Sequence, residues 1–202
     1  MKLIHADAIP WLKSNQGVGS IITSLPDAAE VGMELNKWED WFTLAARLCL
    51  ESTSPECITV FYQTDRKHDG VISSKVALLF KASAQAQSRC LWHKIVLRNS
   101  VGKVDLFRPG FTSLIAFSKM AKSGKATADV MLRGRMNYRN AMGETPAKVA
   151  IDAALKTGSR VVDPFCGQGT IPIMANRLGC DAIGIDNDIK QIKKAKEQKH
   201  EY

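Results

Sequence analysis

The stretch SRVVDPFCGQGT, residues 159–170, decides how the rest of the chain is read. Val161 and Val162 form a β-branched run that ends on Asp163 and Pro164, and Gly167-Gln168-Gly169 then leads directly into the helical pattern GTIPIMANRLG. Glycines at such a place permit a tight turn and a close backbone approach at the carboxyl end of a strand, where open α/β sheets bind cofactors. Asp186 follows Asp163 by 23 residues and closes the next short apolar run, DAIGID. An acid there accepts hydrogen bonds from both hydroxyls of a ribose, so Gly167, Gly169 and Asp186 have the layout of a nucleoside site.

On either side of this stretch, strand and helix patterns alternate. KLIHADA and GSIITSLPD read as short strands separated by a polar stretch. Trp38, Trp41, Phe42, Ala45, Leu48 and Cys49 have the spacing of a helix with one buried face, closed by Pro55. CITVFYQT is a strand, DRKHDG a polar loop, and SSKVALLFKASAQAQ a helix opened by a serine cap. RCLWHKIVL and FTSLIAFSK read as a hairpin across a turn carrying Gly102 and Arg108-Pro109-Gly110. PAKVAIDAALKTG is a helix ending at Gly158, and the Lys-rich tail forms the last one. The pattern predicts an α/β fold with a mostly parallel sheet, helices on both faces and an antiparallel edge hairpin. Between Lys119 and Thr145 periodicity fails, so residues 119–145 are expected to form a basic loop between segments 1–118 and 146–202 of one 202-residue domain.

Composition narrows the function classes. With 45% apolar and 24% charged residues and a mean hydropathy of −0.13, the chain reads as a soluble domain with one core. No apolar run approaches the roughly 18 residues of a membrane span, and MKLIHADAIPW lacks a secretory apolar stretch. Five scattered cysteines without a Cys-x-x-Cys pair argue against a disulfide framework or zinc knuckle, so a reducing, cytoplasmic setting is expected. His5, His93 and His200 lack metal-ligand spacing, and no metal is predicted. The net charge of +8 is uneven: residues 1–56 carry 4 bases and 8 acids, whereas 119–160 carry 9 bases and 3 acids. That excess suits a polyanionic partner.

Asp163-Pro164-Phe165-x-Gly167-x-Gly169-Thr170 resembles the first motif of Rossmann-like S-adenosylmethionine-dependent methyltransferases, in the variant found in amino-methyltransferases. The third glycine that a nicotinamide dehydrogenase needs for its pyrophosphate is missing, which disfavours NAD. The cofactor strand comes late and SIITSLPD early, an order similar to the circularly permuted β-group amino-methyltransferases of nucleic acids. The resemblance covers nearly the whole chain, including Trp92-His93-Lys94 and FTSLIAFSK as later strands. It implies S-adenosylmethionine as cofactor, held by Asp7, Thr145, Asp163, Pro164, Phe165, Gly167, Gly169, Thr170, Asp186 and Asn187. It also places Ser24, Leu25, Pro26 and Asp27 at the catalytic tetrapeptide, whose first side chain and next carbonyl accept hydrogen bonds from an exocyclic amine. The family ends that motif with an aromatic ring that stacks on a flipped base; Asp27 departs from it, as a possible base, partner for a donor edge, or helix cap.

Gln63, Arg66 and Lys67 lie at and beyond the end of CITVFYQT, the strand after SIITSLPD, and are expected on the same rim as substrate contacts. MLRGRMNYRN interleaves Arg133, Arg135 and Arg139 with Met136 and Tyr138, a pattern suited to phosphates and one stacked base. An insertion of about 25 residues is short for a separate duplex-reading domain, so structured RNA, tRNA or rRNA, is the expected substrate ahead of duplex DNA. The alternatives are a cofactor-fold binding module without catalysis and a methyltransferase for DNA, protein or small-molecule amines.

Overall fold

The computed structural model describes residues 1–68, 71–104, 108–122, 124, 127–138 and 141–198. Strands β1 (Lys2–His5), β2 (Ser20–Thr23) and β3 (Thr59–Gln63) come first; helices α1 (Ala8–Ser14), α2 (Ala28–Val31) and α3 (Leu35–Ser52) lie between them. A small hairpin, β4 (Arg66–His68) and β5 (Val71–Ser73), precedes α4 (Lys75–Gln85). Then follow β6 (Arg89–Leu97), β7 (Phe111–Ser118), β8 (Val130–Leu132) and α5 (Glu144–Leu155). The chain finishes with β9 (Arg160–Asp163), α6 (Thr170–Arg177), β10 (Asp181–Asp186) and α7 (Ile189–Gln198).

Eight strands form one mixed sheet in the order β1-β10-β9-β2-β3-β7-β6-β8. From β1 to β3 all neighbours are parallel, and β7 alone runs against its two neighbours. Central strands are apolar on both sides: Val162 and Phe61 join Leu12, Phe42 and Leu79 of α1, α3 and α4, while Val161 and Val60 join Ile151 and Ile171 of α5 and α6. Burial on both faces explains why these strands read as continuous apolar runs. At α3 the side chains of Trp38, Phe42, Ala45 and Cys49 are buried, as their spacing predicts, and Ser74 caps α4 through the Ala77 N–H. No described helix is long and apolar enough to cross a membrane.

Three local expectations are corrected. The polar stretch after β1 is the seven-residue α1, capped by Asp7, with Pro10 in a first turn that loses no hydrogen bond to it. The DRKHDG segment contributes β4 rather than loop. Within residues 119–145, β8 pairs in parallel with β6, so the β6–β7 hairpin is not the sheet's edge. A three-residue edge strand is held by backbone pairing alone and leaves no readable alternation.

Gly143 places the segment after β8 against α5. A Cβ built there would lie 2.0 Å from the Arg133 carbonyl oxygen, closer than any packing allows. Gly143→Ala is expected to lower Tm by about 3–10 °C, the effect of overpacking in a domain of this size. A thermal melt matching the parent would show that the Arg133 segment yields freely.

Candidate active site

The parallel strands β1, β2, β3, β9 and β10 all end on one edge of the sheet, and β2 and β9 meet at its centre. Their ladder pairs Ser20 with Val161 and Ile21 with Val162. Beyond it, the Thr23 hydroxyl donates to Asp163 Oδ1 at 2.7 Å, and the Phe165 N–H reaches the same oxygen at 3.1 Å. Burial pushes the Asp163 carboxyl up to about 7; the two hydrogen bonds oppose that shift, and Asp186 adds to it.

A cavity of about 740 Å³ opens above these strand ends. Asp7, Pro164, Phe165, Gly167, Thr170, Asp186 and Asn187 all contribute to its wall, together with Asp163 at its base. Gly167 has φ +51°, and a Cβ there would sit 3.0 Å from the Tyr138 hydroxyl, so only glycine is comfortable. Asp186 accepts from the Gly167 N–H at 2.8 Å and the Asp188 N–H at 2.9 Å, one bond per oxygen. A lone pair on each oxygen remains for a ligand. His5 Nε2, 3.0 Å from the Asn187 carbonyl, must carry the proton of that bond and steadies the loop after β10.

Among the described residues, the wall contains five carboxylates, from Asp7, Glu30, Asp163, Asp186 and Asp188, and no lysine, arginine or histidine. Such a cavity repels a pyrophosphate and favours a cationic ligand. Gln191 Oε1 is buried in it without a hydrogen-bond partner among the described residues, and the Thr170 hydroxyl faces the Tyr138 phenol. An orphaned polar atom facing a cavity of this size fits a bound ligand that supplies its partner. The residues present therefore suit a sulfonium-bearing nucleoside.

A second cavity of about 240 Å³ adjoins the first, and Ser24, Leu25 and Glu30 belong to both walls. The Ser24 side chain is exposed, and neither its hydroxyl nor the Leu25 carbonyl makes a hydrogen bond to a described residue. The following residues are tightly fixed. Trp38 donates its indole N–H to the Pro26 carbonyl at 3.0 Å, and the Lys75 ammonium lies 5.8 Å from the same ring. Asp27 is buried and paired with three cations: Lys75, Arg66 at 3.0 Å and Arg108 at 3.3 Å. Removing one partner of such a buried pair costs about 3–5 kcal/mol.

Residues 21–197 match the family profile of N6/N4 methyltransferases, described as DNA methylase. The chain belongs to this family. It is an S-adenosylmethionine-dependent methyltransferase of a nucleic-acid base. Among solved structures, a candidate DNA modification methylase of Thermus thermophilus, complexed with S-adenosyl-L-methionine, is 18% identical. That match covers 99% of this chain and 93% of the other, with a TM-score of 0.75. The PvuII DNA methyltransferase, cytosine-N4-specific, is 16% identical over 96% of this chain and 84% of its own, with a TM-score of 0.76. The M1.HpyAVI–SAM complex is 18% identical over 98% of both chains, with a TM-score of 0.67. These likenesses establish the shared fold. No curated protein matches the sequence.

In this methyltransferase the predicted residues divide. Gly169 lines neither cavity: its φ of +85° starts α6, and a Cβ there would meet Ala195 of α7 at 3.0 Å. Thr145 lies beside Gly134 in the first turn of α5 and is exposed; Tyr138 and Met142 line the first cavity instead. Strand alternation turns Gln63 away from the second cavity, which Tyr62 and Thr64 line, and leaves its amide nitrogen buried without a partner among the described residues. Arg66 pairs with Asp27 rather than standing free for phosphates. Arg133 and Met136 do line the second cavity, Arg135 is exposed outside both, and the Lys67 side chain and Arg139 lie outside what is described. Asp27 occupies the N-cap position of α2 in a capping box with Glu30, to which its N–H donates at 2.7 Å, and its carboxylate also pairs with the three cations. Cys166 is packed against the site, and burial pushes its thiol far above the usual range, which fits a small buried residue and not a nucleophile.

Sequence reasoning missed Trp38, Lys75, Met142 and Gln191 as parts of the site. Trp38 reads as core, and a lysine in a first helical turn carries no sign of burial. Tyr138 is expected beside nucleic acid, whereas it lies over Gly167 with its phenol pushed up by burial.

The raised Asp163 carboxyl predicts a pH dependence. The folded state holds this proton between about pH 4 and 7 while the unfolded chain releases it, so the contribution is present below pH 4 and is lost as pH rises through 7. Denaturant melts should show Asp163→Asn flattening this downward component. An unchanged slope would place the proton elsewhere.

Proposed function

We propose that the chain methylates an exocyclic amine of a DNA base, with Ser24 and Leu25 orienting the reacting nitrogen. The observation that carries this reading is the wall formed by Ser24, Leu25 and Glu30, shared by an acidic cavity and a cationic one. A cationic methyl donor suits the first, and a polyanion suits the second. The family's description, DNA methylase, supports DNA as the polymer; the expected preference for structured RNA finds no support there.

When bound, S-adenosylmethionine supplies an electrophilic methyl on a sulfonium, and Gly167, Thr170, Asp186, Asn187 and Gln191 are the residues placed to hold it. The Ser24 hydroxyl and Leu25 carbonyl accept the two N–H bonds of the amine. This turns the nitrogen lone pair out of conjugation with its ring and toward the acidic cavity. Both acceptors would also face the positive charge that grows on nitrogen as the N–C bond forms and the methyl's bond to sulfur breaks, leaving a neutral thioether. Glu30, exposed on the shared wall, is the carboxylate available for the proton that the methylated nitrogen sheds.

Purified protein incubated with methyl-labelled cofactor and either DNA or tRNA should place label in DNA, recovered by nucleoside mass spectrometry as a methylated amino group. Label in tRNA alone would reverse the polymer and keep the chemistry; no label in either would leave a binding module. Ser24→Ala is expected to slow transfer by about 10- to 1,000-fold with cofactor affinity intact. Asp186→Ala should weaken binding of the demethylated cofactor by about 10- to 100-fold in calorimetry. Unaltered affinity would remove Asp186 from the site.

A further inference from the structure

The second cavity gathers cations around few acids. Its wall holds Lys75, Arg98, Arg108 and Arg133 together with Asp27 and Glu30, and Arg66 adds a further cation through Asp27. Asp27, with a single negative charge, collects three of these cations. Arg133 lines the same wall and has no carboxylate of a described residue within ion-pair distance. An uncharged base entering this space supplies hydrogen-bond acceptors but leaves the Arg133 charge uncompensated, whereas a phosphate compensates it and fits the planar fork of arginine. The polar wall is completed by Tyr62, Thr64 and Thr112; the Thr64 and Thr112 hydroxyls are 2.6 Å apart.

We infer that the second cavity is a phosphate subsite for a phosphodiester of the bound polynucleotide, with Arg133 as its principal contact and Asp27 as the positioning residue that assembles its cations. This rests on the proposed nucleic-acid substrate and extends it. The fourth place of the catalytic tetrapeptide serves to organise charge around the substrate backbone, and a ring stacked on the base has no place there. Asp27 is unsuited to general-base work because its carboxylate is shared among Lys75, Arg66 and Arg108. The nucleotide spans the shared wall, its amine at Ser24 and its backbone toward Arg133.

The test uses the full chain saturated with S-adenosylhomocysteine and a fluorescent single-stranded DNA of random sequence, displaced by inorganic phosphate or by chloride at equal ionic strength. Phosphate is expected to displace the DNA far below the chloride concentration that does so. Arg133→Gln should weaken DNA binding about tenfold, flatten the log K against log salt slope by about one unit, and erase the difference between the two anions. Arg133→Lys should recover part of the affinity. Asp27→Asn should give the same loss at unchanged cofactor affinity; if it fails to fold, Arg133→Gln still decides. A methylphosphonate backbone of the same sequence should bind wild type and Arg133→Gln equally.

Equal displacement by phosphate and chloride, or an unaltered Arg133→Gln, would overturn the subsite. Tighter binding of deoxycytidine 5′-monophosphate than of the DNA would overturn the polynucleotide source. Failure of wild type to bind S-adenosylhomocysteine would instead overturn the functional reading, so the two failures are separable.

Discussion

The hydrogen bond from Thr23 to Asp163 joins the two parts of the chain that make the site. β2 arrives within the first 23 residues and β9 only at residue 160, yet they are neighbours at the centre of the sheet. Their backbone ladder stops at Ile21 and Val162, and the diagonal side-chain bond from Thr23 to Asp163 ties the two strands together just beyond it. Neighbouring parallel strands whose following segments leave to opposite faces open a crevice at their carboxyl ends. Here one segment carries Ser24 and Leu25, the other Pro164 to Gly167, and each lines the cofactor cavity. Asp163 is protonated or ionised at little difference in free energy near neutrality, because burial opposes ionisation while Thr23 and Phe165 favour it.

Around this joint, charge is sorted by sign. Acids without cations line the first cavity, and cations gathered around Asp27 line the second, with two uncharged acceptors and Glu30 on the dividing wall. Opposite potentials a few residues apart favour ligands of unlike charge on the two sides. The arrangement depends on residues that never touch the reaction. Trp38 fixes the Pro26 carbonyl and stands beside the Lys75 ammonium, which in turn fixes Asp27. The buried face of α3 thus holds the turn at residues 24–27 in place.

The loop regions beyond β8 complete both cavities from one side. Arg133 and Met136 face the cationic cavity, and Tyr138 and Met142 the acidic one. A basic segment without hydrophobic periodicity therefore supplies a roof to the whole site, pinned by the Arg133 carbonyl against Gly143 and by the Glu144 N–H donating to the Arg135 carbonyl at 2.9 Å.

Local pattern alone determined the α/β class, the parallel strands, the main helices and the glycine turn with Asp163 and Asp186. Each rests on a spacing of a few residues: period 2 or continuous burial in strands, 3.6 in α3, and glycine where φ turns positive. The Gly167 turn was legible for that reason, whereas Ser24 was singled out only by the family resemblance. The tertiary structure decided which side chains share a wall, because that depends on long-range pairing that no local period encodes. Sequence puts Gln63 on the rim, but alternation within β3 turns it inward; it puts Arg66 toward phosphate, but Asp27 lies within reach across the fold. Asp27 and Lys75 are 48 positions apart, and their burial together follows from α4 docking beside the catalytic turn. A short edge strand such as β8 is equally silent in sequence, since only the neighbour's unpaired backbone groups call it into existence.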